Sequence, residues 1–315
     1  MSQLISTLDH SVISENNAAA ELARRVSGQT VIRTREPLAK RTTLRVGGPA
    51  DVYVEPASEQ DLAEIVKFCA ESRLPLFVLG RGSNVLVKDG GFRGVVVCLA
   101  QPYFSRVEVI GECLRCGAGA KLKLVSVEAR RNSLAGLEFL EGIPGTVGGG
   151  LRMNAGAMDG TMFGVVESVR LMDLAGHAQE RTASEMSVEY RNCETIKTHI
   201  AIGAVLKGHA DEREAIEQRM QEFSHKRWAS QPAAPSAGCM FKNPVTVPAG
   251  KLVDELGLKG TGIGGARVSL EHGNFIVNDG TGTARDVLEL IELIRERASA
   301  ERGIHLETEV EIVGE

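Results

Sequence analysis

The sequence predicts an α+β protein with mixed sheets and short connections. Three observations carry this. Short runs of β-branched and aliphatic residues alternate with short helical patterns along most of the chain. Two longer helical patterns, residues 211–230 and 285–302, fall in the last third. The 35 glycines, set against 3 tyrosines and 1 tryptophan, are largely clustered. Clustered glycine lets backbone approach a neighbour or a ligand closely.

In chain order, residues 18–26 read as a short helix and 31–35 as a strand. Residues 42–49 (TTLRVGGP) read as a strand ending in a glycine turn, and 51–55 as another strand. Ser58 opens a helix through the capping-box pattern Ser58-x-x-Asp61. Its apolar residues Leu62, Ile65, Val66 and Cys69 follow the i, i+3, i+4, i+7 spacing of one helix face. Residues 76–79 form a buried strand, and the loop Gly80-Arg81-Gly82-Ser83-Asn84 follows at once. Strands at 85–87 and 95–99 come next, then a helix over 121–132 and the densest glycine segment, 137–160. Strands are expected at 166–173, 180–182 and 199–206. The charged helix 211–230 is ended by Pro232 and Pro235, with a domain boundary near Gly208. A short helix at 251–256 and strands within 266–277 lead to the helix 285–302. That helix carries Val287, Leu290, Ile291 and Ile294 on one face and stops at Gly303. Residues 305–313 are the last strand.

Composition excludes some function classes. The net charge is −5 and no basic block stands out, which argues against a nucleic-acid partner. Small anionic ligands need only a local pocket and stay open. Residues 1–17 lack a basic region followed by an apolar core, and no run of about 18 apolar residues suggests a membrane span. The expectation is a cytoplasmic protein with no membrane partner. Six cysteines in a chain this long are not a disulfide framework. Cys113 and Cys116 form a C-x-x-C, but no second ligand pair is suitably spaced for zinc, and 114–118 reads as strand into a glycine turn rather than the start of a helix. No metal site is expected.

The loop 80–84 lies between two apolar strands, so its N–H groups suit an anion, with Ser83 and Asn84 as extra donors. On residues alone it is equally readable as a plain tight turn. Gly260, Gly262 and Gly265 match G-x-G-x-x-G, with Asp279 further on, but a helical segment precedes them and a strand follows. A dinucleotide fingerprint requires the reverse order, so the match is rejected. No Gly-Lys-Ser/Thr ending supports phosphotransfer. The segment Gly142 through Gly150, leading to Met153-Asn154-Ala155-Gly156-Ala157, must either pack backbone on backbone or cradle a ligand.

Five motifs in order, GRGSN, GIPGTVGGGLRMNAGA, Tyr190-Arg191, SAGCMFKNP and LETEV, closely resemble the UDP-N-acetylenolpyruvoylglucosamine reductase family, over nearly the whole chain from about residue 42. The chain is short and poor in tyrosine, so it looks like the family's second type, which lacks an extra tyrosine-bearing substrate loop. The resemblance implies an FAD-binding fold of the vanillyl-alcohol-oxidase type. Two α+β subdomains, 1–98 and 99–208, would hold FAD, and a C-terminal α+β domain, 209–304, would bind substrate. The strand 305–315 would return to the flavin site. By this likeness Gly80, Arg81, Gly82, Ser83 and Asn84 would hold the FAD pyrophosphate, flanked by Leu79, Val85 and Leu86. Ile143, Pro144, Gly145, Val147, Gly148, Gly149, Asn154, Ala155 and Gly156 would line the ribityl and isoalloxazine region. The first loop has no His or Cys, so the FAD would be non-covalent.

The implied reaction uses NADPH to reduce UDP-N-acetylglucosamine enolpyruvate to UDP-N-acetylmuramate. Hydride addition builds enolate-like charge beside a carboxylate, which a cation and hydrogen-bond donors stabilise. Arg191 matches the family's arginine for this role, and its fork suits a carboxylate. Glu309 matches the active-site glutamate. Glu307 and Glu311 share its face in a strand, so spacing does not select among the three. Cys239 stands where many members have the proton-donating serine. A thiol is a weak hydrogen-bond donor but a better acid than a hydroxyl, with an ordinary pKa of about 8.5. Ser236 matches the serine that opens the motif, and a small buried cysteine with water or Ser236 as acid is the alternative. Lys242 and Asn243 would bind the substrate carboxylate or diphosphate, with Tyr190, Lys226 and Arg227 as weaker candidates. His272 and Asn274 read as structural. Competing expectations are another flavin enzyme of the same fold, or a non-catalytic nucleotide- or sugar-binding protein. A monomer is expected.

Overall fold

The computed structural model describes residues 14–315. The reading of a leader in residues 1–17 falls mostly outside them. The chain divides into two compact units, and two of the crossings between them lie at 35/36 and 81/82. Each unit has its own buried core.

The first unit comprises residues 14–35, Asp51–Arg81 and Gly94–Lys226. One sheet has the order Val31–Pro37, Pro49–Glu55, Phe92–Val97, Leu76–Val78. The last two strands are parallel, with Leu76 opposite Val95. The helix Glu59–Glu71 packs here because Leu62, Ile65, Val66 and Cys69 form one buried stripe. Burial pushes the Cys69 thiol up to about 12.

Ser58 caps that helix by accepting from the Asp61 N–H. The Asp61 carboxylate is 5% exposed and accepts from Ser27 N, Ser27 Oγ and Thr30 Oγ1 at 2.8, 2.8 and 2.9 Å. It therefore fastens the turn after the helix Glu15–Arg25.

A second sheet is fully antiparallel, in the order Ala178–Thr182, Val166–Met172, Ile200–Lys207, Cys113–Gly117, Val107–Ile110. Cys116 is buried in it, its thiol pushed up to about 12 by desolvation, while the Cys113 thiol meets Glu167 at 3.3 Å. Among the described residues no cluster of three His, Cys, Asp or Glu could hold a metal, and no helix is long and apolar enough to cross a membrane.

The second unit comprises Glu36–Ala50, Gly82–Arg93 and Arg227–Glu315. Its sheet runs Ser236–Cys239, Phe275–Asn278, Ala266–Val268, Gly262–Ile263, all antiparallel. The glycines of the rejected fingerprint thus form a hairpin. The helix Ala284–Arg302 starts at a Thr283/Asp286 capping box and ends at Gly303 with φ +64, burying Val287, Leu290, Ile291 and Ile294.

Two strand expectations change. Residues 42–48 form no ladder. A Cβ on Gly47 or Gly48 would strike the backbone of Val87 or Asp89, so this stretch packs backbone on backbone, and the strand starts at Pro49. In 305–313 only Glu311–Val313 is a strand. It pairs in parallel with Val85–Val87. The residues before it belong to another partner: Thr308 bridges Phe241 and Glu309 N donates to Met240 O at 2.8 Å.

Removing the Asp61 carboxylate leaves the Ser27 N–H and two hydroxyls without their acceptor. Asp61→Ala should cost about 1–3 kcal/mol by urea unfolding. Burial raises this carboxyl's pKa, but the Ser27 and Thr30 bonds outweigh it and hold it below the ordinary value. The contribution is therefore complete above about pH 4 and fades as pH falls through the lowered pKa, closing the gap between wild type and variant.

Candidate functional site

The two glycine-rich segments are built for different contacts at successive positions. In the first unit, residues 143–148 are stitched to 118–122. Leu122 N donates to Gly145 O, Val147 N to Ala120 O and Gly148 N to Ala118 O, at 3.1, 2.9 and 2.8 Å. A Cβ on Gly148 would come within 3.2 Å of Ala118 Cβ, and one on Gly150 would crowd Leu122 and Met162. These glycines serve packing. Gly142 has nothing within 4 Å of an added Cβ, and Gly149 has only Thr146 Oγ1 at 3.6 Å. Those faces are open. A Cβ on Gly80 would lie 2.9 Å from Thr146 Oγ1, so the end of the first loop meets the second segment here.

Among the described residues the backbone N–H groups of Gly80, Arg81, Gly82 and Ser83 have no protein acceptor. Four successive free amides, with glycines that admit close approach, fit the pyrophosphate of a dinucleotide cofactor. Gly82 takes φ +65.

Tyr190 and Arg191 are the two-residue tip of a hairpin, Val188–Glu189 against Asn192–Cys193. Arg191 has φ +55, an uncommon conformation for a residue with a side chain. Its guanidinium lies 5.4 Å from the centre of the 61%-exposed Tyr190 ring. Asn154, at φ +37, accepts from Phe163 N and donates to Glu189 O at 3.3 Å, fastening this hairpin to the glycine segment.

In the second unit Cys239 ends its strand opposite Phe275. The next residues, 240–242, run beside 307–309, with Lys242 N donating to Glu307 O at 2.9 Å. Cys239 and Glu309 therefore sit on adjoining segments. Glu307 is distinguished from Glu309 by its ion pair with Lys242, 3.1 Å. Asn274 is 2% exposed and clamps Phe241 through Phe241 N to Oδ1 (2.9 Å) and Nδ2 to Phe241 O (2.8 Å). Asn274 is structural as expected.

A half-open cavity of about 310 Å³ extends from Cys239 past Asn243 to Lys251, Lys259, Glu271 and His272. Asn243 accepts from Ala249 N with Oδ1. His272 Nδ1 accepts from Asn274 N, which leaves Nε2 as the ring's N–H in the neutral form. Burial, then the Lys259 charge, lowers the His272 pKa, so the neutral form prevails near neutrality. Sequence reasoning left His272 as structural and did not single out Lys259. A signal was present in Gly250 and Gly273: a Cβ on Gly250 would lie 2.8 Å from the His272 ring, and one on Gly273 would lie 2.4 Å from Gly250 O. Lys226 and Arg227 fall at the end of the helix Arg213–Ser230, with Arg227 beside the Trp228 ring at 5.7 Å.

Two family models match the chain: "FAD binding domain" over residues 50–181, and "UDP-N-acetylenolpyruvoylglucosamine reductase, C-terminal domain" over residues 231–313. The UDP-N-acetylenolpyruvoylglucosamine reductase of Clostridioides difficile (strain 630) is 41% identical over 286 residues, 90% of this chain and 94% of that protein. Its counterpart in Syntrophomonas wolfei is 39% identical over 286 residues, 90% and 95% of the two chains. The crystal structure of the reductase from Thermus caldophilus superposes with a TM-score of 0.79 at 38% identity, covering 91% of this chain and 99% of that one.

Gly82 tests the cradle. An alanine there would have φ +65 and a Cβ 2.6 Å from Arg41 O and 2.7 Å from Thr42 Cα, so the loop must move. Gly111 also has positive φ, +61, but open space around it. Gly82→Ala should purify with less flavin per protein by absorbance, and Gly111→Ala with the wild-type ratio.

Proposed function

The chain belongs to the UDP-N-acetylenolpyruvoylglucosamine reductase family, FAD-dependent oxidoreductases of peptidoglycan precursor synthesis, and on that premise we propose how its residues divide the reaction. When bound, FAD relays a hydride from NADPH to the methylene carbon of the enolpyruvyl group. The amides of the loop 80–84 hold the pyrophosphate, with Leu79, Val85 and Leu86 shaping its surroundings. The open faces of Gly142 and Gly149 admit the rest of the cofactor, non-covalently.

Arg191 binds the enolpyruvyl carboxylate and stabilises the negative charge that hydride addition pushes toward it. Its fixed fork and permanent charge suit that task. Cys239 delivers the proton to the carbon that bears the carboxylate, leaving a thiolate that solvent reprotonates. Glu309 in its protonated form donates a hydrogen bond to the substrate carboxylate, or assists that proton transfer. The adjacency of the Cys239 and Glu309 segments, beside a polar cavity whose lining includes Lys251, Lys259, Asp254, Glu271 and His272, is the observation that carries this reading. Asn243, Lys259 and the Nε2–H of His272 offer donors to the diphosphate and sugar of the nucleotide. Lys242, Tyr190, Lys226 and Arg227 are further substrate contacts.

The functional division we propose is an FAD-holding part made of 1–98 and 99–208, and a substrate part, 209–304. Residues 305–315 return to the flavin loop. The parallel pairing of Glu311–Val313 with Val85–Val87 supports that return. We assign the chain to the type without the extra tyrosine loop, as a cytoplasmic monomer.

The test is NADPH consumption with and without UDP-N-acetylglucosamine enolpyruvate, with Cys239→Ser alongside. Turnover should be fast only with the sugar nucleotide. Cys239→Ser should change the pH profile of that turnover, because the ordinary thiol pKa of about 8.5 no longer limits the alkaline side. A flavin-loaded protein with no sugar-dependent turnover would reject the assignment, and an unchanged profile would remove Cys239 from proton transfer.

A further inference from the structure

Within each unit, side-chain hydrogen bonds lead from the glycine-rich segments or their neighbours to Glu309 itself, to Glu189 two residues before Arg191, and to Ser236 three residues before Cys239. Asn84 Nδ2 donates to Glu309 O at 3.1 Å, and Asn84 O accepts from Glu311 N at 3.0 Å. The residue that ends the first loop therefore holds the chain on both sides of Val310, directly after Glu309. Asn154 Nδ2 donates to Glu189 O, two residues before Arg191. Thr43 N donates to Gly82 O at 3.2 Å, while its hydroxyl donates to Ser236 O at 2.6 Å. Ser236 opens the strand that ends in Cys239.

These partners decide what the side chains are for. The Asn84 amide group spends a proton on Glu309, and the Asn154 amide spends one on Glu189 and an acceptor on Phe163 N. The Glu309 carbonyl is half-buried, where an unmade bond is costly, whereas the Glu189 carbonyl is exposed. The hairpin tip also needs an anchor, because Arg191 holds φ +55 at an energetic cost.

We propose that Asn84, Asn154 and Thr43 are positioning residues that tie Glu309, Arg191 and Cys239 to the cofactor-holding segments, so that loading the segments orders the catalytic side chains. Roles of the three catalytic residues are taken from the functional reading above. The tethers themselves are geometric and can be tested apart from it.

Asn→Asp is the discriminating change at positions 84 and 154. It keeps size, Oδ1 and tolerance of left-handed backbone, and exchanges the donating NH2 for a charged oxygen that the facing carbonyl repels. Thr43→Val removes only the hydroxyl, and Thr43→Ser restores it. In the holoenzyme, bleaching of the flavin by NADPH needs no acid. It should stay within about threefold of wild type in the Thr43 variants, since Thr43 is not among the residues placed at FAD or substrate; for Asn84 and Asn154, which are, the reading is the ratio of the two half-reactions. Recovery of flavin absorbance on adding UDP-N-acetylglucosamine enolpyruvate should slow about 10- to 100-fold. Thr43→Ser should regain most of the rate. Independently of activity, FAD added to the apoprotein should slow amide hydrogen exchange at Glu309 and Glu311, and Asn84→Asp should abolish that slowing. Equal loss in both half-reactions together with weaker FAD binding would overturn the proposal, leaving the residues as cofactor ligands. So would FAD-insensitive exchange at Glu309 and Glu311. If wild type is bleached by NADPH but never recovers with the sugar nucleotide, the functional reading fails, and the exchange result still decides the tethers.

Discussion

Four successive backbone amides, those of Gly80, Arg81, Gly82 and Ser83, find no acceptor among the described residues, and this constrains the rest. An N–H withdrawn from water without a partner costs about 1–3 kcal/mol. The loop is therefore stable in this shape only against water or an anion. Its neighbours are arranged around that requirement. Thr146 approaches Gly80 closely enough that a side chain there would clash, and the 41–43 backbone approaches Gly82 in the same way. Glycine at 80 and 82 is what these close approaches require, since a Cβ would strike Thr146 Oγ1 at the first and the backbone of Arg41 and Thr42 at the second.

The same loop serves a second purpose at its far end. After Asn84 the chain enters Val85–Val87, which pairs with the C-terminal strand Glu311–Val313. That strand begins two residues past Glu309. Residues 307–309 meanwhile pair with 240–242, directly after Cys239. A change of partner between Glu309 and Glu311 is what lets one short segment touch both the residues that follow Cys239 and the end of the loop 80–84. A regular strand would have satisfied only one of them.

Much of this was legible in the sequence, for local reasons. The helix Ala284–Arg302 follows from its capping box, its apolar spacing and Gly303, all contained within the segment. The five motifs were enough to reach the family. Long-range partnerships were not legible. Thr43 reads as a strand residue until its hydroxyl is seen to reach Ser236, 193 positions away. Asp61 reads as a capping-box acid until its carboxylate is seen holding Ser27 and Thr30. Glu307 and Glu309 cannot be separated by a period of two, and the pairing of Glu307 with Lys242 appears only in the structure. Residues 42–48 carry strand-forming side chains, yet Gly47 and Gly48 press their backbone against 87–91 and no ladder forms. Arg191 shows nothing in sequence of its left-handed backbone.

The central claim is that the free amides of Gly80, Arg81, Gly82 and Ser83 take the pyrophosphate of FAD. A nitrogen–proton correlation spectrum of the isotopically labelled apoprotein, recorded before and after FAD is added, reads those four groups directly. The account predicts that the Gly80, Arg81, Gly82 and Ser83 signals move downfield together as they gain a charged acceptor, with saturation at one FAD per chain. Flavin binding that leaves these four signals in place while others shift would contradict it.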